Sequence, residues 1–374
     1  MTDLDALTAA TAHLDPPLAA LDLDALDHNA AELLHRASGT PLRIASKSVR
    51  CRWVLDRVLA NPGVRGVMAY SVREAIWLVQ HGVRDVLLGY PSVDRGALAE
   101  LAADENLREV ITLMVDDPAQ LDLLGRDVRV CIDVDASLRI GRLHLGVRRS
   151  PVRTPQDAAQ LAKAAEARGL RVVGVMFYEA QIAGLPDSSP AVRLVKRRSV
   201  AELAQRRGAV VEAVEKIAGA LPIVNSGGTG SLEVSSADRA VTEVTAGSGL
   251  YVPTLFDRYR AFVPNPALYF ALPVARRPAR DIATLFGGGY VASGPAGKSR
   301  LPTPVGYKLL GTEGAGEVQT PIRGARGVKI GDRVWFRHAK AGEMLERFDT
   351  VHLVMGGKVV DSVPSYRGEG KNFG

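Results

Sequence analysis

Two features, a lysine closing a buried strand and two small-residue turns far downstream, are the groups in this chain whose types and spacing could do chemistry. Residues 41 to 50 read PLRIASKSVR, an apolar run that ends in Lys47 between Ser46 and Ser48. An amine at a strand end that is partly withdrawn from water loses solvation as a cation, which makes its neutral form accessible and Lys47 a candidate Schiff-base nucleophile. The second feature is NSGGTGS, residues 225 to 231, directly after the apolar PIV. Adjacent glycines let several backbone N–H groups converge on one oxyanion, the arrangement a phosphate requires. A third stretch, AGSG at 246 to 249, offers a similar small-residue turn. No GK[ST] follows the glycines, which excludes a P-loop, and a dinucleotide fingerprint is disfavoured by the position late in the chain.

These groups must be positioned by repeating elements. From about residue 40 to 255, β-branched runs alternate with longer amphipathic ones, the pattern of βα units on a parallel sheet. Eight strands are predicted, at PLRIAS, GVMAY, DVLLGY, EVITLMV, VRVCIDVD, LRVVGVMFYE, PIVNSGG and AVTEVTAGS. Eight units in so short a span fit a closed (β/α)8 TIM-type barrel, an α/β fold, better than an open sheet. Lys47 then stands at the C-terminal end of the first strand, and the two small-residue turns follow the seventh and eighth. Barrels frequently bind phosphate between those last two loops, which closure brings beside the first strand. A lysine facing a bound phosphate ester points to pyridoxal 5'-phosphate, whose aldehyde condenses with an amine and whose ring accepts electrons.

After about residue 265 the chain turns rich in Gly and Pro, with short runs such as DRVWFRH and TVHLVMGG. The expected organisation is an N-terminal segment, 1–26, packing on the second domain; a barrel, 27–264; and a C-terminal β-rich domain, 265–374. The chain has 374 residues, 47% of them apolar, and carries 47 Lys+Arg against 41 Asp+Glu for a net charge of +6. So interspersed a balance is a weak bias toward anionic ligands and falls short of a nucleic-acid footprint. Cys51 and Cys131 lie far apart, no secretion signal opens the sequence, and no apolar run approaches the roughly 18 residues of a membrane span. A cytoplasmic protein with no nucleic-acid or membrane partner is expected.

The motifs LDLDALDHN, RIASKSVR, VMFYEAQIAG, NSGGTGS, EVTAGSGLY, HAKAGE and SYRGEGK, in this order, resemble those of the alanine-racemase-type (fold type III) pyridoxal phosphate enzymes. Within them the chain is similar to the D-threonine aldolase and D-serine dehydratase branch, including proteins called amino acid deaminase/aldolase. The resemblance implies an alanine-racemase-like barrel with a C-terminal β domain and gives roles to matching positions. Lys47 would carry the cofactor; Ser226, Gly227, Gly228, Thr229, Gly247 and Ser248 would hold its phosphate; Tyr178 would lie near the ring or substrate. An arginine beyond the fifth strand would contact the ring region, here Arg139, with Arg142 or His144 as alternatives because RLHLGVRRS lengthens the loop.

The resemblance also implies a divalent cation held by a His-x-Cys or His-x-Asp pair in the β domain. Here the stretch is His338, Ala339, Lys340, and an ammonium is no metal ligand. His338 is therefore expected to bind metal with Glu343 or His352, to act alone as an acid or base, or only to cap a loop. The implied activity is retro-aldol cleavage of a β-hydroxy amino acid, as by a D-threonine aldolase. Alternatives are a D-serine dehydratase, a racemase drawing on Tyr307 or Tyr366, a non-catalytic pyridoxal phosphate carrier, and a Schiff-base aldolase without that cofactor. The partner is a small amino acid, and the resemblance implies a homodimer.

Overall fold

The computed structural model describes residues 2–187, 189–260 and 262–374. Strand β1 (Leu18–Asp22) leads through a helix, Leu23–Arg36, into β2 (Leu42–Ala45), β3 (Val64–Ala69), β4 (Val86–Leu88), β5 (Ile111–Val115) and β6 (Arg129–Asp133). A hairpin of β7 (Leu138–Ile140) and β8 (Leu143–Leu145) interrupts the rhythm, which resumes with β9 (Arg171–Phe177), β10 (Ile223–Ser226) and β11 (Glu243–Ala246). Strands β2 to β6 and β9 to β11 close into an eight-stranded barrel, with β11 pairing in parallel to β2 so that Ala246 lies opposite Ile44. The eight strands are the eight expected ones. Between them, amphipathic helices bury their apolar stripes against outward-facing strand residues such as Leu42, Ile44 and Val244.

Inside the barrel a layer of Leu87, Met114, Cys131, Met176 and Ile223 fills the middle, and below it lies a buried polar network. Arg43 alternates with Leu42 and Ile44 on β2 and is fully enclosed. Its Nε and Nη2 donate to the two oxygens of Glu243 at 2.7 and 2.8 Å, and its Nη1 donates to Asp85 Oδ1 at 2.8 Å. Burial alone would lower the guanidinium pKa, but Glu243 and Asp85 outweigh it and hold the pKa above its ordinary value. Both cysteines are buried free thiols.

Two elements depart from the sequence reading. The amphipathic stretch SVAELAQRRGAVVEAVEKIAG predicts a helix from Ser199, whereas the helix runs from Pro190 to Ala218, because Ser189 accepts from the Val192 N–H and proline at the first turn extends the helix backwards. The loop after β6 folds into the β7–β8 hairpin, Leu138–Leu145, before the chain returns to the rim.

The second sheet is formed by β12 (Leu268–Ala279), β13 (Ile282–Phe286), β14 (Thr303–Pro304), β15 (Lys308–Leu309), β16 (Gln319–Arg323), β17 (Arg333–Arg337), β18 (Thr350–Met355) and β19 (Lys358–Pro364). Strand β1 sits in its centre, antiparallel to β12 and parallel to β18. The chain thus begins in the β sheet, crosses into the barrel, and returns. The C-terminal tail ties the two together. The Tyr366 N–H donates to Arg50 O at 2.9 Å, and the Tyr366 hydroxyl donates at 2.9 Å to the buried Glu74 on a barrel helix. No helix among the described residues is long and apolar enough to cross a membrane.

Candidate active site

Strand β2 ends in a single tight turn, Ser46–Ser48, that lifts Lys47 onto the barrel rim. Ser46 is buried and its hydroxyl donates to Met68 O at 3.0 Å, which anchors the turn to β3. Lys47 projects into a cavity it shares with Tyr178, Gly227, Gly228, Thr229, Gly247 and Ser248. Six of the residues singled out in the sequence for cofactor phosphate or ring therefore face the same cavity as the lysine. Lys47 is itself exposed in this chain, so the desolvation argued from its strand is not supplied by the chain alone. Its Nζ is held instead by Tyr90 Oη at 2.6 Å.

The two glycine turns are packed too tightly for side chains. A Cβ on Gly228 would lie 2.7 Å from the Ala183 Cβ, and one on Gly247 would lie 2.6 Å from Ala45 O. Among the described residues, the N–H groups of Gly227, Gly228, Gly247 and Ser248 donate to no protein acceptor. The Thr229 hydroxyl lies 3.2 Å from that of Ser248 and accepts from the Gly249 N–H, pinning the two turns to each other. Free amides converging beside a lysine are the donor set that an anionic ester requires, so these residues fit the phosphate of pyridoxal phosphate.

Ser226 is placed differently. Its hydroxyl donates to the buried Glu179 at 2.8 Å and accepts from Arg207 Nη2 at 2.8 Å, so it is committed to the wall behind the turn and does not face the cavity. Glu179 gathers Ser231 and Ser235 as well, and the cluster supports the turn from outside.

Arg139 is also not at the cavity. It lies on the exposed hairpin strand β7, paired with Asp135, while Arg142 and His144 fall on the same hairpin and face away. The arginine that reaches the cavity is Arg149, where the chain returns from the hairpin. Its guanidinium carbon lies 5.2 Å from the Tyr178 ring and 5.9 Å from the Tyr90 ring, and it forms no ion pair among the described residues. Only the fold could select it among several arginines, since the hairpin's length and direction are not written in the local pattern.

His338 sits just past β17, 2% exposed, with neither ring nitrogen hydrogen-bonded among the described residues. Burial, with Arg337 beside it, pushes its pKa down to about 3 and keeps the ring neutral. It lies behind the cavity wall and not on it. Lys340, two residues on, does face the cavity, together with Glu343. Among the described residues no three or more His, Cys, Asp or Glu side chains cluster as a metal would need, and His338, Glu343 and His352 are not brought together. A neutral imidazole turned into the protein and an amine at the next same-side position do not fit a divalent cation. Tyr307 and Tyr366 do not face the cavity either.

Three further groups were not singled out in the sequence. Tyr90 ends the strand DVLLGY, the rim position that could have flagged it. Asn225 and Thr245 form the floor, where Asn225 Nδ2 donates to Glu243 Oε1 at 2.7 Å and to Thr245 Oγ1 at 2.8 Å. The floor of the cavity is thereby braced on the buried Arg43–Glu243 pair.

With this geometry in place, residues 21–254 match the family described as alanine racemase, N-terminal domain. The chain belongs to that family. This alanine-racemase-type, fold type III chain is 28% identical over 301 residues to a D-threonine aldolase of an Arthrobacter species, spanning 74% of this chain and 72% of that protein. The structure of D-threonine aldolase from Filomicrobium marinum is similar at a TM-score of 0.80 and 22% identity, covering 95% of this chain and 96% of that one. D-threo-3-hydroxyaspartate dehydratase from Delftia sp. HT23 is similar at a TM-score of 0.73 and 19% identity, covering 94% and 97%. Both structural likenesses confirm the barrel with its appended β domain.

Proposed function

We propose that the chain is a pyridoxal phosphate-dependent lyase that cleaves β-hydroxy amino acids between Cα and Cβ, in the manner of its D-threonine aldolase relative. The observation that carries this reading is the cationic mouth. Lys47, Arg149 and Lys340 surround one cavity beside two turns of free amides, and none of the three forms a salt bridge among the described residues, although Glu343 shares the cavity with Lys340. Such a site suits a ligand carrying a phosphate ester and an amino acid carboxylate.

Lys47 Nζ is the attachment point for the cofactor. The amides of Gly227, Gly228, Gly247 and Ser248, with the Thr229 and Ser248 hydroxyls, hold its phosphate. When bound, pyridoxal phosphate supplies an electron sink for the pair released at Cα. Tyr178 and Arg149 flank the ring region. Tyr90 Oη, 2.6 Å from Lys47 Nζ, orients that amine and can pass a proton to or from it, so Lys47 serves as the base for the β-hydroxyl proton once substrate has displaced it. His338, buried and outside the cavity, has no place in this transfer. The open, exposed approach to Lys47 supports a homodimer in which a second copy covers the mouth and excludes water.

The test is product analysis. Reconstituted protein incubated with D-threonine is expected to release glycine and acetaldehyde. Formation of a 2-oxo acid and ammonia from D-threonine or D-serine would replace the aldolase with a dehydratase, and no turnover of either by a protein that retains bound cofactor would overturn the reading.

A further inference from the structure

Resting on the retro-aldol reading, we infer that Lys340 is a substrate-contacting cation that takes the place of a divalent metal, its ammonium donating to the β-oxygen of the substrate. The resemblance implies a metal pair at positions 338 and 340; this chain keeps the histidine at 338 and departs in residue type at 340. His338 faces into the protein with neither ring nitrogen hydrogen-bonded, and Lys340 faces the cavity.

The loop that carries Lys340 lies directly on the backbone of Lys47. Gly342 holds a φ of +95°, and a Cβ there would sit 1.9 Å from Lys47 O and 3.0 Å from Ser48 Cα. Only glycine permits so close an approach, which holds the loop that carries Lys340 against the turn that carries Lys47, and both side chains line the same cavity. The loop is pinned from behind as well: the Thr254 and Leu255 N–H groups donate to the carbonyls of His338 and Ala339 at 3.0 and 3.2 Å. The charged groups around Lys340 are Arg300, Lys47 and Glu343. Glu343 accepts from the Ser293 N–H at 2.9 Å and forms no ion pair with Lys340 among the described residues, which leaves the ammonium's donors for a ligand. Negative charge develops on the β-oxygen as Lys47 takes its proton and passes to Cα as the Cα–Cβ bond breaks, and a fixed donor at that oxygen stabilises the charge while it resides there, without a metal.

Two measurements on the cofactor-loaded enzyme test this. Exhaustive chelation followed by elemental analysis is expected to leave substoichiometric metal and unchanged cleavage of D-threonine. Lys340→Met is expected to lower kcat/KM for that cleavage by about 100-fold or more. It should keep the cofactor's absorption band and, at saturating D-alanine, its rate of Cα-proton exchange in deuterated solvent, since D-alanine has no β-oxygen and saturation removes any loss in carboxylate binding. Lys340→Arg should recover part of the loss. Stoichiometric metal whose removal abolishes cleavage, or full D-threonine cleavage by Lys340→Met, would overturn the inference while leaving the aldolase reading intact. A wild type that exchanges the D-alanine proton yet cleaves no β-hydroxy amino acid would sink the aldolase reading and this inference with it.

Discussion

The bottom and the mouth of the barrel use cations in opposite ways. At the bottom, Arg43 is enclosed and its guanidinium is met by Glu243 and Asp85. At the mouth, four residues further along the same strand and turn, Lys47 stands with Arg149 and Lys340 in a cavity where none forms a salt bridge among the described residues. Charge buried with a fixed partner serves the fold, because removing either member strands the other in a medium that cannot solvate it. Charge left unpaired at a concave rim lowers stability slightly and serves a ligand that will bring the missing anion. Asn225 links the two regions, one amide bonded to Glu243 below and to Thr245 on the cavity floor.

Breaking the bottom should have the larger effect. Arg43→Ala leaves Glu243 buried with only the Asn225 amide and, at 3.3 Å, Arg65 to answer it. The variant is expected to lose about 3–5 kcal/mol of stability in denaturant unfolding. A loss below 1 kcal/mol would mean that the pair is dispensable to the fold. Arg149→Ala sharpens the other side of the comparison. It removes an unpaired cation, so unfolding should shift by less than about 0.5 kcal/mol. Affinity for cofactor or substrate carboxylate should fall roughly 10- to 100-fold by titration, the worth of a charge-assisted hydrogen bond. Marked destabilisation without loss of affinity would place Arg149 with Arg43 as a structural residue.

What was legible in the sequence follows the range of the interactions involved. The eight barrel strands were readable because each is a local apolar run, and the long β2-to-β11 closure adds no local signal that contradicts them. Lys47 and the turns at 227–229 and 247–248 were readable because a strand-end lysine and adjacent glycines carry their geometry within a few residues. Ser226 was not, since it belongs to the strand and its hydroxyl follows the alternation that turns it toward Glu179. Arg149 escaped because the β7–β8 hairpin decides which of the nearby arginines returns to the rim. The fates of His338 and Lys340 were hidden for a related reason: strand pairing ends at Arg337, and the loop that follows buries the imidazole and presents the amine.

The central claim is that Lys47 holds the cofactor within the unpaired mouth. Borohydride reduction of the reconstituted protein, followed by digestion and peptide mass mapping, tests it most directly. The reduced pyridoxyl group is expected on the peptide containing Lys47, and Lys47→Ala should take up none. A pyridoxyl group found on Lys340 or on a surface lysine, with Lys47 unmodified, would contradict the account.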